Sequence, residues 1–196
     1  MRPASRGYSL AELLTIVAII GLTVLVAVPA FGSLRRRSAV RAASYELRAV
    51  FHEARSRAIA RGANVGVRFI DVEGTWMLAI FDDGDGDGVK SEDIKRGTDP
   101  VWSLPRTLLP PQSLARIGML AETIKDPDGD KMPPTKSPVQ FGRTQICSFS
   151  PMGESTPGTI YLTDRAGVLY AVRVYGATAR MRVLRYDAGA RKWREQ

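Results

Sequence analysis

The N-terminal stretch Arg6-Gly7-Tyr8-Ser9-Leu10-Ala11-Glu12, followed by an uncharged run from Leu13 to Leu34, is the part of the sequence that decides the fold. As a helix rising 1.5 Å per residue the uncharged run would be ~33 Å long, which matches a hydrocarbon core of ~30 Å. The carboxylate of Glu12 stands at the head of this run. An ionised side chain costs on the order of 2.5–3.5 kcal/mol in a membrane, so Glu12 indicates a function and a cationic partner.

A cationic partner for Glu12 would arise if the leader Met1–Gly7 were removed, because the new chain would begin with a free α-amine at Tyr8. Within one helix, residues four apart lie on the same face. Pairing of Glu12 with the Tyr8 amine of a neighbouring subunit would neutralise both charges and fix the stagger between two packed helices. We therefore expect Glu12 to act in assembly.

These residues resemble the N terminus of the type IV pilin and pseudopilin family. The resemblance rests on Gly7, the aromatic Tyr8, Ser9-Leu10, Glu12 and the apolar run, although most members have Phe where this chain has Tyr8. It implies that a prepilin peptidase cleaves after Gly7 and methylates the new N terminus at Tyr8. It also implies a single-pass protein of the bacterial inner membrane, with its C-terminal domain in the periplasm and its N-terminal helix in lipid until it packs against other subunits.

Two simpler interpretations of the segment remain. A secretory signal peptide has a basic start and an apolar region of about 7–15 residues, which is shorter than this run. A plain membrane anchor fits the length but gives Glu12 no role. Within the run, Gly21 and Pro29 bracket a stretch that the resemblance implies is loosened in assembled filaments. Glycine and proline are also simply common in transmembrane helices.

The composition suits one soluble domain after the N-terminal segment. The chain has 196 residues, with one cysteine, Cys147, and one histidine, His52. These counts exclude an intrachain disulfide and argue against a Cys/His or Ser/His/Asp catalytic arrangement, so we do not expect an enzyme. The formal charge of +8 falls to +6 when Arg2 and Arg6 leave with the leader. By the positive-inside rule, the arginines at positions 35–37 favour a cytoplasmic location for the part of the chain that follows the apolar run, whereas the resemblance implies a periplasmic one.

Between Ser38 and Arg61 the apolar residues recur at three- and four-residue spacing, which is typical of an amphipathic helix, and Gly62 is a suitable residue to end it. Together with the apolar run, this pattern predicts one long, kinked helix over residues 8–62. We expect its second half to pack on a sheet through an apolar stripe formed by Val40, Ala43, Leu47, Val50, Phe51, Ala54 and Ala58.

Residues 63–196 are predicted to form a β-rich globular domain, because short alternating segments are separated by Gly, Pro and Asp clusters. One helix followed by strands is an α+β pattern, with the helix packed on an antiparallel sheet. The predicted strands are Val65–Ile70, Trp76–Phe81, Ile146–Phe149, Thr159–Thr163, Val168–Tyr175 and Arg180–Tyr186.

The segment Phe149-Ser150-Pro151-Met152-Gly153, with the strand Thr159–Asp164 and Gly167, is similar to the GspH/FimT subfamily. This resemblance implies a minor pseudopilin of type II secretion, assembled into a short filament or its tip. Its partners would be other pseudopilins, contacted through the N-terminal helix, and a secreted protein as cargo. The alternative within the same subfamily is a FimT-like minor pilin that binds DNA for uptake.

One acidic loop is a candidate metal site. Asp83, Asp85 and Asp87, followed by Gly88, reproduce the first half of a calcium loop, in which alternate carboxylates point at the ion. The second half departs from the pattern, because Ile94 stands where such a loop has Glu. Asp126, Asp128 and Asp130 form a weaker echo. The alternative is a solvated Asp/Gly turn, and no other cofactor is expected.

The basic C-terminal strand is a candidate ligand surface. Arg180 and Arg182 are predicted on one face, with Met181 and Val183 on the other, and Arg185 at the strand's end. The segment from 176 to 182 is loosely similar to the Gly-Arg-x-Arg motif with which some FimT-like pilins bind DNA, although its glycine lies three residues further from the arginines. Such a face is more often solvated or in contact with another subunit.

Overall fold

The computed structural model describes residues 9–121, 123–129, 131–132 and 137–196. Helix α1 runs from Leu10 to Arg61, which confirms the long N-terminal helix, while Gly7 and Tyr8 lie outside the described residues. The chain divides into two compact units, with the boundary between Arg36 and Arg37 inside α1.

The first unit consists of the N-terminal part of α1, which is helical without a break past Gly21 and Pro29. The hydroxyls of Thr15 and Thr23 donate to the carbonyl oxygens of Ala11 and Ile19, at 2.8 and 2.7 Å. Each of these two hydroxyls thus has an acceptor within the helix, which lowers the cost of placing it in an apolar setting. Across the part of the chain that the structure describes, no helix is both long and apolar enough to cross a membrane.

The second unit begins with the C-terminal part of α1, whose predicted stripe is fully buried. Gly62 ends the helix: its φ of +65° is in the left-handed region, and its N–H donates to the carbonyl of Ile59 at 3.3 Å. The elements that follow are β1 (Val65–Val72), β2 (Thr75–Asp82), α2 (Ser91–Arg96), β3 (Val101–Thr107), β4 (Arg116–Ile117), β5 (Ile124–Lys125), β6 (Lys131–Met132), β7 (Val139–Gln140), β8 (Ile146–Phe149), β9 (Gly158–Thr163), β10 (Leu169–Val174), a 3-10 turn (Gly176–Thr178), β11 (Met181–Asp187) and β12 (Lys192–Glu195).

The strands form two antiparallel sheets and a small hairpin. The first sheet has the order β3-β2-β1-β8, the second has the order β12-β11-β10-β9-β4 with β7 also on β9, and β5 pairs with β6. The β1–β2 hairpin turns at Glu73 and Gly74, both with positive φ, as a two-residue turn of the primed type requires.

The principal core lies between the second half of α1 and the inner faces of both sheets. Phe51 of α1 is at its centre, with ring centroids 6.0 Å from Phe69, 5.8 Å from Phe141 and 6.0 Å from Phe149. A second cluster, which includes Tyr161, covers the opposite face of the second sheet. The α+β fold, with a long helix packed on antiparallel sheets, is therefore confirmed.

Several elements differ from the sequence prediction. The short helix α2 interrupts the series of strands, and β3 to β7 and β12 were not predicted. The placement of Arg185 at the strand's end was wrong, because β11 continues to Asp187 by pairing with the unpredicted β12. The strand meander is also split between two sheets rather than forming one.

Candidate functional site

Glu12 and Ser9 form a reciprocal cap at the start of α1. The N–H of Ser9 donates to Glu12 Oε2 at 2.9 Å, and the N–H of Glu12 donates to Ser9 Oγ at 3.2 Å. This is the capping box expected of a Ser-x-x-Glu sequence, in which two N–H groups that lack helical acceptors are satisfied together. The pattern was visible in the sequence but was not used in its interpretation.

The cap gives Glu12 a second role beside the predicted one. Its carboxylate accepts a hydrogen bond within its own chain, and its negative charge interacts favourably with the partial positive charge at the N-terminal end of the helix. Pairing of Glu12 with a neighbouring α-amine at Tyr8 stays a prediction, since Tyr8 lies outside the described residues. The cap uses Oε2, and the second oxygen of a carboxylate can accept from a cation at the same time.

The acidic loop is organised by the buried carboxylate of Asp83. Asp83 Oδ1 accepts the N–H of Gly86 at 2.8 Å, and Oδ2 accepts Asn64 Nδ2 at 2.7 Å and the N–H of Gly88 at 2.9 Å. Burial raises the pKa of Asp83, but these hydrogen bonds outweigh it and hold the pKa below its ordinary value. Asp83 is therefore a structural acceptor for the loop backbone.

A second buried carboxylate, Asp99, closes the other side of the loop. It is 1% exposed and accepts the N–H of Gly84 at 3.1 Å and that of Lys90 at 3.0 Å. At Gly84 the backbone passes so close that a Cβ would lie 1.9 Å from the carbonyl oxygen of Thr98. The loop is thus a tight, internally bonded structure.

Three carboxylates of the loop come together as a metal site would need. Asp83, Asp85 and Asp87 each place one oxygen within 4.8 Å of the others. Two features oppose a full calcium loop: the Lys90 ammonium pairs with Asp87 Oδ2, and Ile94 packs inward from α2. Calcium binding here stays a prediction.

Of the weaker acidic echo, the structure describes Asp126 and Asp128. Asp128 pairs with the Arg173 guanidinium, and the N–H of Asp128 donates to Asp126 Oδ1 at 2.6 Å. Asp130 lies outside the described residues.

An arginine pair fastens the end of α1 to the strand that leads into the acidic loop. Arg57 Nε and Nη2 each lie 2.7 Å from an oxygen of Asp82, and Arg61 Nη1 lies 2.7 Å from Asp82 Oδ2. The Arg57 guanidinium also lies 4.2 Å from the ring centroid of Trp102 in β3. Asp82 is 4% exposed, so this contact is a structural one between a helix and a sheet.

Arg180 and Arg182 line a common cleft with residues of α1, which sequence reasoning did not find. We call this the basic cleft; its volume is about 260 Å³. Met181 and Val183 of β11 are buried in the principal core and alternate with the less buried Arg182, in agreement with the predicted faces. Arg180 was predicted to lie on this strand, but it lies just before it, because β11 begins at Met181. The charged and polar groups of the basic cleft come from Arg48, His52 and Arg55 on α1, Arg180 and Arg182 beside them, and Glu195 and Gln196 at the other wall.

The two residues considered for catalysis do not form a nucleophilic site. Cys147 is fully buried, and burial raises the pKa of its thiol well above the ordinary value, so it is not a thiolate. His52 is exposed and accepts a hydrogen bond at Nε2 from Arg48 Nε at 3.4 Å. Burial, and then Arg48 and Arg55, lower the pKa of His52, so its neutral form is favoured.

Comparison with known proteins gives one family and one solved structure. Residues 43–179 match the family model described as "Type II transport protein GspH". The structure of the minor pseudopilin EpsH from the type 2 secretion system of Vibrio cholerae is similar, with 16% sequence identity, a TM-score of 0.44, and coverage of 74% of this chain and 96% of that one. No curated protein matches the sequence.

Proposed function

Because this chain belongs to the GspH family of type II transport proteins, we propose that it is a minor pseudopilin of a type II secretion system. In this proposal a prepilin peptidase removes the leader Met1–Gly7 and methylates Tyr8. The processed chain resides in the inner membrane and then joins the pseudopilus or its tip. Its C-terminal domain lies in the periplasm, where it contacts other pseudopilins or a secreted protein.

The observation that carries this proposal is the apolar surface of the first unit. From Leu10 to Leu25 the large apolar side chains are all about half exposed or more, and Leu10 reaches 80%. Soluble monomers rarely expose contiguous apolar surface of this extent, so lipid or neighbouring helices have to cover it. Glu12 is the ionisable group on this surface, which supports its role in setting the stagger of packed helices.

Two substitutions of Glu12 separate assembly from capping. Glu12→Gln keeps an acceptor for the Ser9 N–H but removes the charge that would neutralise an α-amine. Glu12→Ala removes both. The proposal predicts that both variants are processed normally and that neither enters filaments, as measured by cross-linking and shearing of assembled pseudopili. Normal incorporation of Glu12→Gln would leave capping as the function of Glu12 and contradict the charge-pairing role.

The processing step has its own measurement. Mass spectrometry of the mature protein should find a first residue of N-methylated Tyr8, since cleavage follows Gly7 in this proposal. A Gly7→Ala variant should retain the leader. A mature protein that begins at Met1, or well downstream near Phe31, would contradict the proposal.

The alternative function, DNA capture by a FimT-like minor pilin, rests on Arg180 and Arg182. The observation that favours it is that both line one cleft with Arg48 and Arg55. It predicts a gel shift of DNA by the purified protein that Arg180→Ala and Arg182→Ala each weaken. Absence of binding by the parent protein, or binding unchanged in the variants, would reject it.

Calcium binding by the acidic loop is a separate prediction with a direct test. Calorimetric titration should show heat with the parent protein and none with Asp85→Asn/Asp87→Asn. The Lys90 ammonium forms an ion pair with the Asp87 carboxylate, which would have to release it to bind a metal. The Lys90→Met variant should therefore bind calcium more tightly than the parent protein. No heat and no thermal shift in either the parent or Lys90→Met would reject the metal site.

A further inference from the structure

The basic cleft carries an excess of positive charge that the described residues do not balance. Four guanidiniums line it, from Arg48, Arg55, Arg180 and Arg182, against one acidic side chain, that of Glu195. Within the described ranges, Arg48, Arg55 and Arg180 have no carboxylate within 4.0 Å. An anion that enters the cleft would therefore meet guanidiniums not already neutralised.

Two donor atoms in the cleft lack acceptors. Arg55 Nε and Arg182 Nε are buried, and neither has a hydrogen-bond acceptor among the described residues. Arg182 Nε lies 3.5 Å from Glu195 Oε1, which is an ion-pair distance without hydrogen-bond alignment. Buried donors without acceptors are rare and unfavourable, so the cleft lacks groups that an incoming carboxylate would supply.

The size of the cleft and the state of the aromatic ring beside it favour a polypeptide over a nucleic acid. The buried donors Arg55 Nε and Arg182 Nε belong to a cleft of about 260 Å³, which single carboxylate side chains can enter. The nearby ring of Tyr175 already has the guanidiniums of Arg173 and Arg182 at 5.8 and 5.6 Å from its centroid. Single-stranded nucleic acids are usually bound by aromatic rings that are free to stack on bases.

From these observations we infer that the basic cleft is a docking site for an acidic segment of another protein, whose carboxylates bind the guanidiniums of Arg48, Arg55, Arg180 and Arg182 together. Glu195 competes with the incoming carboxylates, because in the unbound protein its own carboxylate partly neutralises the positive charge of the cleft. The volume of about 260 Å³ suits one or two carboxylate side chains. This inference goes beyond the proposed function, because such binding does not require filament assembly.

Fluorescence anisotropy tests the inference with the full chain in neutral-detergent micelles. The probe is a labelled octapeptide of alternating Glu and Gly, and a 12-nucleotide single-stranded DNA and a 12-base-pair duplex serve as competitors. We expect Arg180→Gln to weaken peptide binding about tenfold, because charge-assisted hydrogen bonds are lost. Arg143→Gln changes the charge equally at an exposed position outside the cleft, and we expect less than about a twofold change from it, since isolated surface charges contribute little.

The opposite change provides the sharpest control. Glu195→Gln removes the internal competitor, and we expect it to bind the peptide more tightly than the parent protein. Both Arg180 and Glu195 are exposed, so these variants should fold, which thermal unfolding checks. Equal losses in Arg180→Gln and Arg143→Gln, no tightening in Glu195→Gln, or Arg180-dependent DNA binding that the peptide cannot displace would each overturn the inference.

Discussion

At the scale of single residues, Asp83 shows how a possible metal ligand also serves the fold. Its two oxygens accept three N–H donors from Asn64, Gly86 and Gly88. The exposed Asp85 belongs to the same sequence pattern but does not hold the loop to the sheet. The alternation of aspartates therefore contains residues with different roles.

We predict that Asp83→Asn destabilises the protein far more than Asp85→Asn. The amide would place an NH₂ group where one carboxylate oxygen accepts hydrogen bonds, and leaving buried donors unsatisfied costs about 1–3 kcal/mol. Asp85→Asn should change the free energy of unfolding by less than about 0.5 kcal/mol, as is usual at exposed positions. Urea denaturation followed by circular dichroism measures both; equal effects would refute the structural role of Asp83.

Asp83 also predicts an acid limit of stability. Its pKa in the folded state lies below the ordinary value of 3.8, so the folded state favours the carboxylate. The stabilisation is complete well above pH 3.8 and is lost as the pH falls through the lower folded-state value. The difference in free energy of unfolding between the parent and Asp83→Asn should be constant from about pH 7 to pH 5 and narrow below the ordinary pKa. A difference in the free energy of unfolding that grows on acidification would contradict the lowered pKa of Asp83.

At the scale of secondary-structure elements, close packing between β7 and β9 depends on Gly158. A Cβ at this position would lie 2.3 Å from Phe141 Cδ1 and 2.4 Å from the carbonyl oxygen of Gln140. Phe141 belongs to the principal core, and Gln140 pairs with Thr159 across the two strands. The backbone of β9 can therefore approach β7 only because residue 158 has no side chain.

We predict that Gly158→Ala lowers the free energy of unfolding by about 2–3 kcal/mol, because the added methyl group overpacks the core. Gly189→Ala is the matched control: its Cβ would have a nearest neighbour at 3.5 Å and its φ is not in the left-handed region. Thermal unfolding should separate the two variants by several degrees. Similar melting temperatures would mean that β7 moves aside at little cost.

Sequence patterns predicted the elements that have a helical period or an apolar run bounded by turn residues, and missed the others. The stripe from Val40 to Ala58 was predicted because burial on one helix face imposes a period on the side chains. The strand Ile146–Phe149 has no alternation in burial and was predicted from its apolar run and the turn residues that bound it. Helix α2 has six residues, too few to show a period. Strand β3 has almost uniformly exposed side chains, so burial gives it no alternation, and Pro105 argues against a strand at this place.

At the scale of the whole molecule, the buried clusters that the structure describes all lie in the second unit. The three buried clusters contain no residue before Val40. The candidate sites divide in the same way: Glu12 was predicted because its charge conflicts with its apolar surroundings within one segment. Arg48 and Arg55 of the basic cleft were not, because only the fold brings α1 beside β11.

We predict that residues 37–196 fold without the N-terminal segment. All core contacts of Phe51 and its aromatic neighbours are retained in this fragment. Its far-ultraviolet circular dichroism and cooperative melting should match those of the full chain in micelles after subtraction of the missing helix. Phe51→Ala in the same fragment should lower the free energy of unfolding by about 3–5 kcal/mol, which is enough to unfold a domain of low stability. A fragment without a cooperative transition would show that the N-terminal helix contributes to the fold.

The reactivity of the buried thiol of Cys147 measures how often the first sheet opens. Cys147 lies in β8, the terminal strand of that sheet, opposite Val67 of β1, and is 0% exposed. A thiol reagent can reach the sulfur only after β8 separates from its neighbours. The rate of alkylation therefore reports how often this border strand detaches, and the folded chain is protected from oxidative cross-linking in any oxidising compartment that it crosses.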